Sequence, residues 1–338
     1  GVLVTWVERR RWRDPDFAGT GQELYYMGRL LDGRTLAPLA PAHAIEAQGA
    51  PYRLPMGPVP LATSDGQLFA VHCVCIGGSG RFSCLSSLMA GQQAPGFSTG
   101  GSVGVCPSGR IAATMVGAEP MAIVPSPAAM GIEVMVGTAR RTTQLEVDGE
   151  VQVPVAAPLG VDAGVFVRRA PRGIEGRVFG RDTRPRGGAV LLSDGHAEVG
   201  APAVLTQGTT AQVVWAQRSG RSPWQLAQAT WTPGGGAPVR AALNTGTAQA
   251  MAPSLVASTR EGCAVLAWTE GAGHGTVVRV GQLCNGVLDP GTVVQLSQPE
   301  VEAGDCELAT DGAGVIAVWQ ELPRGAHEEL RVARLGCQ

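Results

Sequence analysis

The 338-residue chain contains no lysine: all 26 basic residues are arginine. Lysine codons are AT-rich, whereas those of Arg, Ala, Gly and Pro are GC-rich, so the absence points to a high-GC bacterial genome. Arginine by itself is therefore no flag of function. Charge is scarce, at 16% of residues with a net of −2. A nucleic-acid-binding chain usually carries a basic excess and a membrane-surface chain a basic amphipathic face, so neither partner is expected. No apolar run approaches the roughly 18 residues that span a bilayer. The chain opens at Gly1 without a charged n-region or an apolar h-region, which reads as a processed or trimmed chain. Metal motifs are missing as well. There is no pair of C-x-x-C knuckles and no H-E-x-x-H, and Asp14-Pro15-Asp16 does not continue into a calcium loop. No metal and no cofactor is expected, and no G-x-S-x-G, P-loop or dinucleotide fingerprint appears.

Glycine is in excess instead. The 48 Gly and 24 Pro compare with average usage of about 7% and 5%. They are dispersed, which excludes collagen, and too frequent for a mostly helical chain. With 44% apolar residues there is enough core material to exclude wholesale disorder.

Tryptophan supplies a ruler. Trp6, Trp215, Trp268 and Trp319 each end a β-branched run, VLVTW, AQVVW, AVLAW and VIAVW. The last three are about 50 residues apart, and the gap from Trp6 to Trp215 leaves room for three degenerate copies with His72, Met115 and Val167 at the Trp position. Upstream of each anchor lies a short strand ending in a polar or Gly turn. Downstream come a loop, a third strand, a Gly-containing turn and a fourth strand, clearest in TVVRVGQLCNGVLDPGTVVQLS. Four short strands per repeat are the signature of a β-propeller. The expectation is an all-β single domain of seven blades, each of four short antiparallel strands, with six or eight blades as alternatives. The blades fall at about 1–50, 51–100, 101–148, 149–195, 196–248, 249–298 and 299–338. The Trp position ends the second strand of a blade, where a large side chain can fill the space between neighbours. The chain begins in a second strand and ends in a third, at LRVARLGCQ. Residues preceding Gly1, or an irregular closure by termini and loops, are expected to complete the ring.

VLAWTEGAGHGTVVRVGQLCNGVLDPGTVVQLS and IAVWQELPRGAHEELRVARL resemble repeats of secreted bacterial β-propellers in the broad sialidase-like superfamily. The shared pattern is V-x-W-x-E/D, a polar turn, a third strand and a G-x-x-D turn. VTWVERR followed by ELYYMGRLLDGRTLAPL is similar, and the match weakens between about residues 60 and 200. The resemblance implies a secreted, cell-surface or periplasmic module: a non-catalytic binding or structural scaffold for a protein or glycan partner. The alternative is a sialidase-like glycoside-processing enzyme with an axial active site. Such an enzyme needs an Arg triad, a Tyr nucleophile with a Glu partner and an acid/base Asp. Only Tyr25, Tyr26 and Tyr52 exist, and TSDGQLF at 63–69 departs from the S-x-D-x-G-x-x-W box. The expected inner strands PVPLATS, VPVAAPLG, PAVLTQG and PSLVAST carry no charge, which favours the scaffold.

Eight cysteines, an even number, read as disulfides and an oxidising compartment. Cys75 and Cys84 flank the turn IGGSGRFS, while Cys263 and Cys284 are centred on Gly273 and His274; both are expected cross-strand pairs. Cys73 with Cys106 and Cys306 with Cys337 complete the set. The candidate contact surface is the segment RRRWRDPDFAGTGQ, where Arg9, Arg10, Arg11 and Arg13 surround Trp12 with Asp14 and Asp16 behind. It reads as an exposed loop carrying an aromatic anchor for a partner or glycan, or as a locally neutralised insertion folded onto the blade edge. His43, His72, His196, His274 and His327 read as packing or turn residues. Seven arginines crowd residues 168–186 against Glu175 and Asp182, whereas Glu300, Glu302, Asp305, Glu307 and Asp311 stand together with no base among them.

Overall fold

The computed structural model describes residues 1–13, 20–47, 53–63, 66, 68–76, 81–88, 98–102, 111–126, 131–136, 141–146, 152–246, 249–272, 275–298, 300–311, 313–323 and 327–336. The described regular structure is β throughout, apart from a single 3₁₀ turn at Pro290–Thr292 capped by Asp289. The described strands form seven antiparallel sheets, each built from strands consecutive in the chain. The chain divides into two compact units, Gly1–Gln152 with Gly180–Arg184, and Val153–Phe179 with Pro185–Gln338.

In the first unit, β1 (Val2–Arg13), β2 (Thr20–Leu31) and β3 (His43–Ala47) make a three-stranded sheet. The second sheet is β4 (Arg53–Ala62), β5 (Leu68–Ile76), β6 (Arg81–Leu88) and β7 (Ser98–Ser102). The third is β8 (Ala112–Val116), β9 (Glu119–Ser126), β10 (Gly131–Val136) and β11 (Arg141–Glu146).

The second unit holds four sheets. β12 (Gln152–Leu159), β13 (Ala163–Ala170), β14 (Gly173–Gly180) and β15 (Val190–Leu191) form one, and β16 (Glu198–Gln207), β17 (Thr210–Arg218), β18 (Gln225–Trp231) and β19 (Val239–Leu243) the next. β20 (Ala250–Ala257), β21 (Cys263–Ala272) and β22 (Gly275–Cys284) come after, with β23 (Val287–Leu288) and β24 (Val294–Gln295) both paired to β22. The 3₁₀ turn interrupts what would otherwise be one outer strand. The last sheet is β25 (Glu302–Thr310), β26 (Val315–Leu322) and β27 (Glu329–Leu335).

The expectation of seven four-stranded blades needs correction. Five sheets reach four strands or more, and the first and last have three among the described residues. The shortfall falls on the first and last sheets: Trp6 lies on the first strand of its sheet, in agreement with the expected start in a second strand, and Trp215, Trp268 and Trp319 lie on the second strand of theirs. Met115 lies on β8, the first described strand of its sheet, and most of the strand expected before it, SVGVCPSG, lies outside the described residues. His72 on β5 and Val167 on β13 hold the expected second-strand position.

The second unit shows why tryptophan recurs. Each core cluster is shared by two consecutive sheets. Trp215 and Trp231 pack with Val165, Val167 and Ile174 of the preceding sheet. Trp268 packs with Val214, Ala216 and Leu226, and Trp319 with Ala267 and Val278. The indole of each second strand thus reaches back to the sheet before it. Polar satisfaction obeys the same grammar. The Trp215 indole N–H donates to Gln217 at 3.0 Å and that of Trp319 to Glu321 at 2.9 Å, each two residues along the strand. Glu270, two residues after Trp268, pairs instead with Arg279, and the Trp268 indole has no acceptor among the described residues. The V-x-W-x-E pattern is therefore an architectural motif in which the acidic residue serves the ring or a neighbouring arginine.

Candidate active site

The first strands carry a second recurring device. A step of three residues on the first strand matches a step of two on its partner between Met56 and Val59, Val199 and Pro202, Met251 and Ser254, and Gly304 and Glu307. Each is a one-residue β-bulge, which bends the strand and re-aims the side chains beyond it. Ala252 and Asp305 sit at equivalent bulge positions with φ of 46° and 49°, and Val153 at the start of β12 has φ 47°. Left-handed backbone is costly for Ala and Val and better tolerated by Asp.

On β25 the bulge changes the surface. Residues an odd number apart take opposite faces of a regular strand, yet Ala303 and Cys306 are both buried while Glu302, Asp305 and Glu307 are all exposed. The extra residue shifts the phase and brings three carboxylates to the exposed side. Where β25 has Asp305 and Glu307, β20 has Ala252 and Ser254, and β16 has Gly200 and Pro202. The scaffold is repeated and the carboxylates are not. Ser254 ties the strands together: its Oγ donates to Glu307 Oε2 at 3.1 Å and accepts from the Leu308 N–H at 3.1 Å. Beside the bulge, Thr269 Oγ1 is buried without a partner among the described residues, and a Cβ added at Gly304 would stand 3.7 Å from it. Neither Glu302 nor Asp305 has an ion pair among the described residues. Asp311, beyond the end of β25, is paired with Arg334, whose hydrogen bond holds that carboxyl below its ordinary range.

The other candidates fall elsewhere. Arg9, Arg10, Arg11, Trp12 and Arg13 lie on β1 rather than in a loop, in register with β2 out to Arg13 opposite Thr20. The alternation of the run is compatible with a strand, and its charge obscures this. Residues 14–19, with Asp14 and Asp16, lie outside the described residues. Cys263 and Cys284 are bonded across β21 and β22, as their symmetry about the turn requires. The other hairpin differs: Cys73, not Cys75, stands opposite Cys84, and Cys75 faces Phe82. The register of β5 on β6 is offset from the symmetric reading, so that each β5 residue meets a partner two positions earlier than expected. Cys306 is a free buried thiol, which overturns its pairing with Cys337; it faces the apolar cluster around Trp319. Cys106 and Cys337 lie outside the described residues. Several crowded arginines are engaged: buried Arg168 with Glu175 at 2.8 Å, Arg181 with Glu119, and Arg186 with Asp162 at 2.8 Å. Among the described residues no cluster of metal-ligating side chains occurs, and no helix is long and apolar enough to cross a membrane.

No protein-family model matches the sequence, and no curated protein matches it significantly. Solved structures do share its fold. A neuraminidase-like protein of A/little yellow-shouldered bat aligns with a TM-score of 0.54 at 10% identity, over 83% of this chain and 95% of that one. The α-L-arabinofuranosidase of Fusarium graminearum, solved with an iminosugar inhibitor, gives 0.51 at 13% identity over 85% and 94%. The Penicillium chrysogenum α-L-arabinanase complexed with arabinobiose gives 0.51 at 13% over 83% and 93%. The fold is an all-β propeller. The expectation of a non-catalytic scaffold is corrected by these neighbours, two of which are an arabinofuranosidase and an arabinanase. The uncharged segments PVPLATS, VPVAAPLG, PAVLTQG and PSLVAST argue otherwise, but β25 carries charge at its bulge where β16 and β20 carry none. The signal for it lies in the spacing of Glu302, Asp305 and Glu307, in a repeat whose other copies carry uncharged residues at the bulge.

Proposed function

We propose that this chain is a glycoside-processing enzyme whose acid/base chemistry is carried by Glu302, Asp305 and Glu307. The observation that carries this reading is the departure of β25 from its repeats: a shared bulge bears exposed carboxylates where neighbouring first strands bear alanine and serine or glycine and proline. Glycoside hydrolysis needs one carboxyl to protonate the leaving oxygen and a second carboxylate to activate water or attack the anomeric carbon. Glu307, oriented by Ser254, is suited to the second role. Asp305 or Glu302, without an ion pair among the described residues, is suited to the first. The arabinan-directed neighbours support a neutral pentose polymer as substrate, and the neuraminidase-like neighbour supports sialosides as the second candidate. The Cys263–Cys284 disulfide supports work outside the reducing cytosol.

The test is hydrolysis of aryl α-L-arabinofuranosides, arabinan and aryl sialosides by the purified chain. Asp305→Asn and Glu307→Gln should each lower kcat at least ~100-fold, about 2.7 kcal/mol of barrier, with the melting temperature unchanged. A folded protein inert on all three substrates, or full activity in both variants, would refute the proposal.

A further inference from the structure

A pocket of about 210 Å³ lies between the fourth and fifth sheets, lined by Asp194, Gln217, Ala227, Arg240, Ala241 and Ala242. Its three polar side chains are each fixed through part of their polar group and keep another atom uncommitted among the described residues. Asp194 Oδ1 accepts the backbone N–H groups of His196 and Ala197 at 3.1 and 3.3 Å, leaving Oδ2. Gln217 Oε1 accepts the Trp215 indole at 3.0 Å, leaving its NH₂ group. Arg240 Nε and Nη2 donate to the carbonyls of Leu192 and Leu191 at 2.7 and 2.8 Å, leaving Nη1. Side chains locked in this way lose little freedom when a ligand arrives, which preorganises the site. We propose that this pocket is a second carbohydrate subsite, separate from the carboxylates of β25, that holds one neutral sugar ring through its hydroxyl groups.

The chemistry selects the ligand class. One carboxylate and one guanidinium in the same small space oppose a net charge of either sign. Together with an amide they present both acceptors and donors, the pattern that adjacent hydroxyls complement. The volume is below the roughly 300–1,000 Å³ of pockets for drug-sized ligands, so a single ring fits and a nucleotide does not. Ala227 and Ala242, paired across β18 and β19, form an apolar floor that accommodates the C–H face of a ring. The choice of a sugar rests on the glycoside-processing reading; the small, neutral and polyhydroxylated character rests on the pocket alone.

The test is titration of the isotope-labelled full chain with arabinose, xylose, galactose and arabinobiose, with N-acetylneuraminate and glycine as charged and zwitterionic probes. The expected result is saturable binding of at least one neutral sugar, with amide shifts at Ala241 and Ala242. Asp194→Asn and Gln217→Glu preserve the anchoring contacts and should each weaken binding at least fivefold. Ala242→Leu, on the face of β19 shared with Arg240 and Ala227, should fill the pocket and abolish binding. No binding by any neutral sugar, preference for glycine or N-acetylneuraminate, or unchanged affinity in all three variants would overturn the proposal. Sugar binding at Ala241 without hydrolysis of any substrate would defeat the enzymatic reading alone, and hydrolysis without such binding would defeat this one alone.

Discussion

Glu321 shows how a repeated acidic residue can be structural. It is 2% exposed, accepts the Trp319 indole and pairs with Arg331 at 3.0 Å. Glu321→Ala would strand a buried donor, whereas Arg331, 44% exposed, can return to water. The expected loss is about 2 kcal/mol, read as a shift in the urea midpoint. Cys306 offers a pH-dependent counterpart. Burial, and secondarily the charge of Glu307, pushes its thiol from 9.0 up to about 12. Below pH 9 the thiol is neutral in both states and its contribution is complete. Above pH 9 the unfolded chain releases the proton and the folded chain does not, so stability falls by up to about 1.4 kcal/mol per pH unit until pH 12. Cys306→Ala should flatten that part of the decline in urea titrations between about pH 8 and 11. An unaltered slope would contradict the assignment.

At the scale of elements, strand identity was legible because alternation and turn chemistry are local. Asn285-Gly286, with φ of 52° and 78°, turns β22 into β23 as the sequence NG demands. The Cys263–Cys284 pair was legible from symmetry about one turn. Register was less so: the Cys73–Cys84 alignment depends on where a glycine-rich turn is centred, and several centres satisfy the same composition. The bulges were invisible for a related reason. An extra residue leaves hydrophobic content unchanged and alters only phase, so Glu302, Asp305 and Glu307 read as a charged run rather than a shared surface. Close packing between sheets was also hidden. A Cβ at Gly176 on β14 would stand 2.7 Å from the Trp231 ring on β18. Both are held in paired strands, so Gly176→Ala should cost about 1–3 kcal/mol. Trp231→Leu should recover part of that loss in the double variant, measured by thermal melts of all four members of the cycle.

At the scale of the whole molecule, the second unit is a series of sheets whose cores are shared only with neighbours in the series, each centred on a second-strand tryptophan. Stability in such an array is a sum of repeat and interface contributions, so equivalent mutations at different interfaces should have different reach. Truncating a buried tryptophan to alanine costs about 3–5 kcal/mol, a large share of the roughly 5–15 kcal/mol that holds a domain together. Trp319 serves the interface of the last sheet, which contributes β25 to β27 alone. Trp319→Ala should therefore raise hydrogen exchange across residues 302–335 and leave β12 to β19 protected. It should also reduce hydrolysis, because β25 carries the proposed carboxylates. Trp268 serves an interior interface, between the fifth and sixth sheets. Its loss should expose both sides at once, raising exchange from β16 through β27. Identical exchange maps for the two variants would mean that the unit unfolds as one indivisible block, and nearest-neighbour coupling would not describe it.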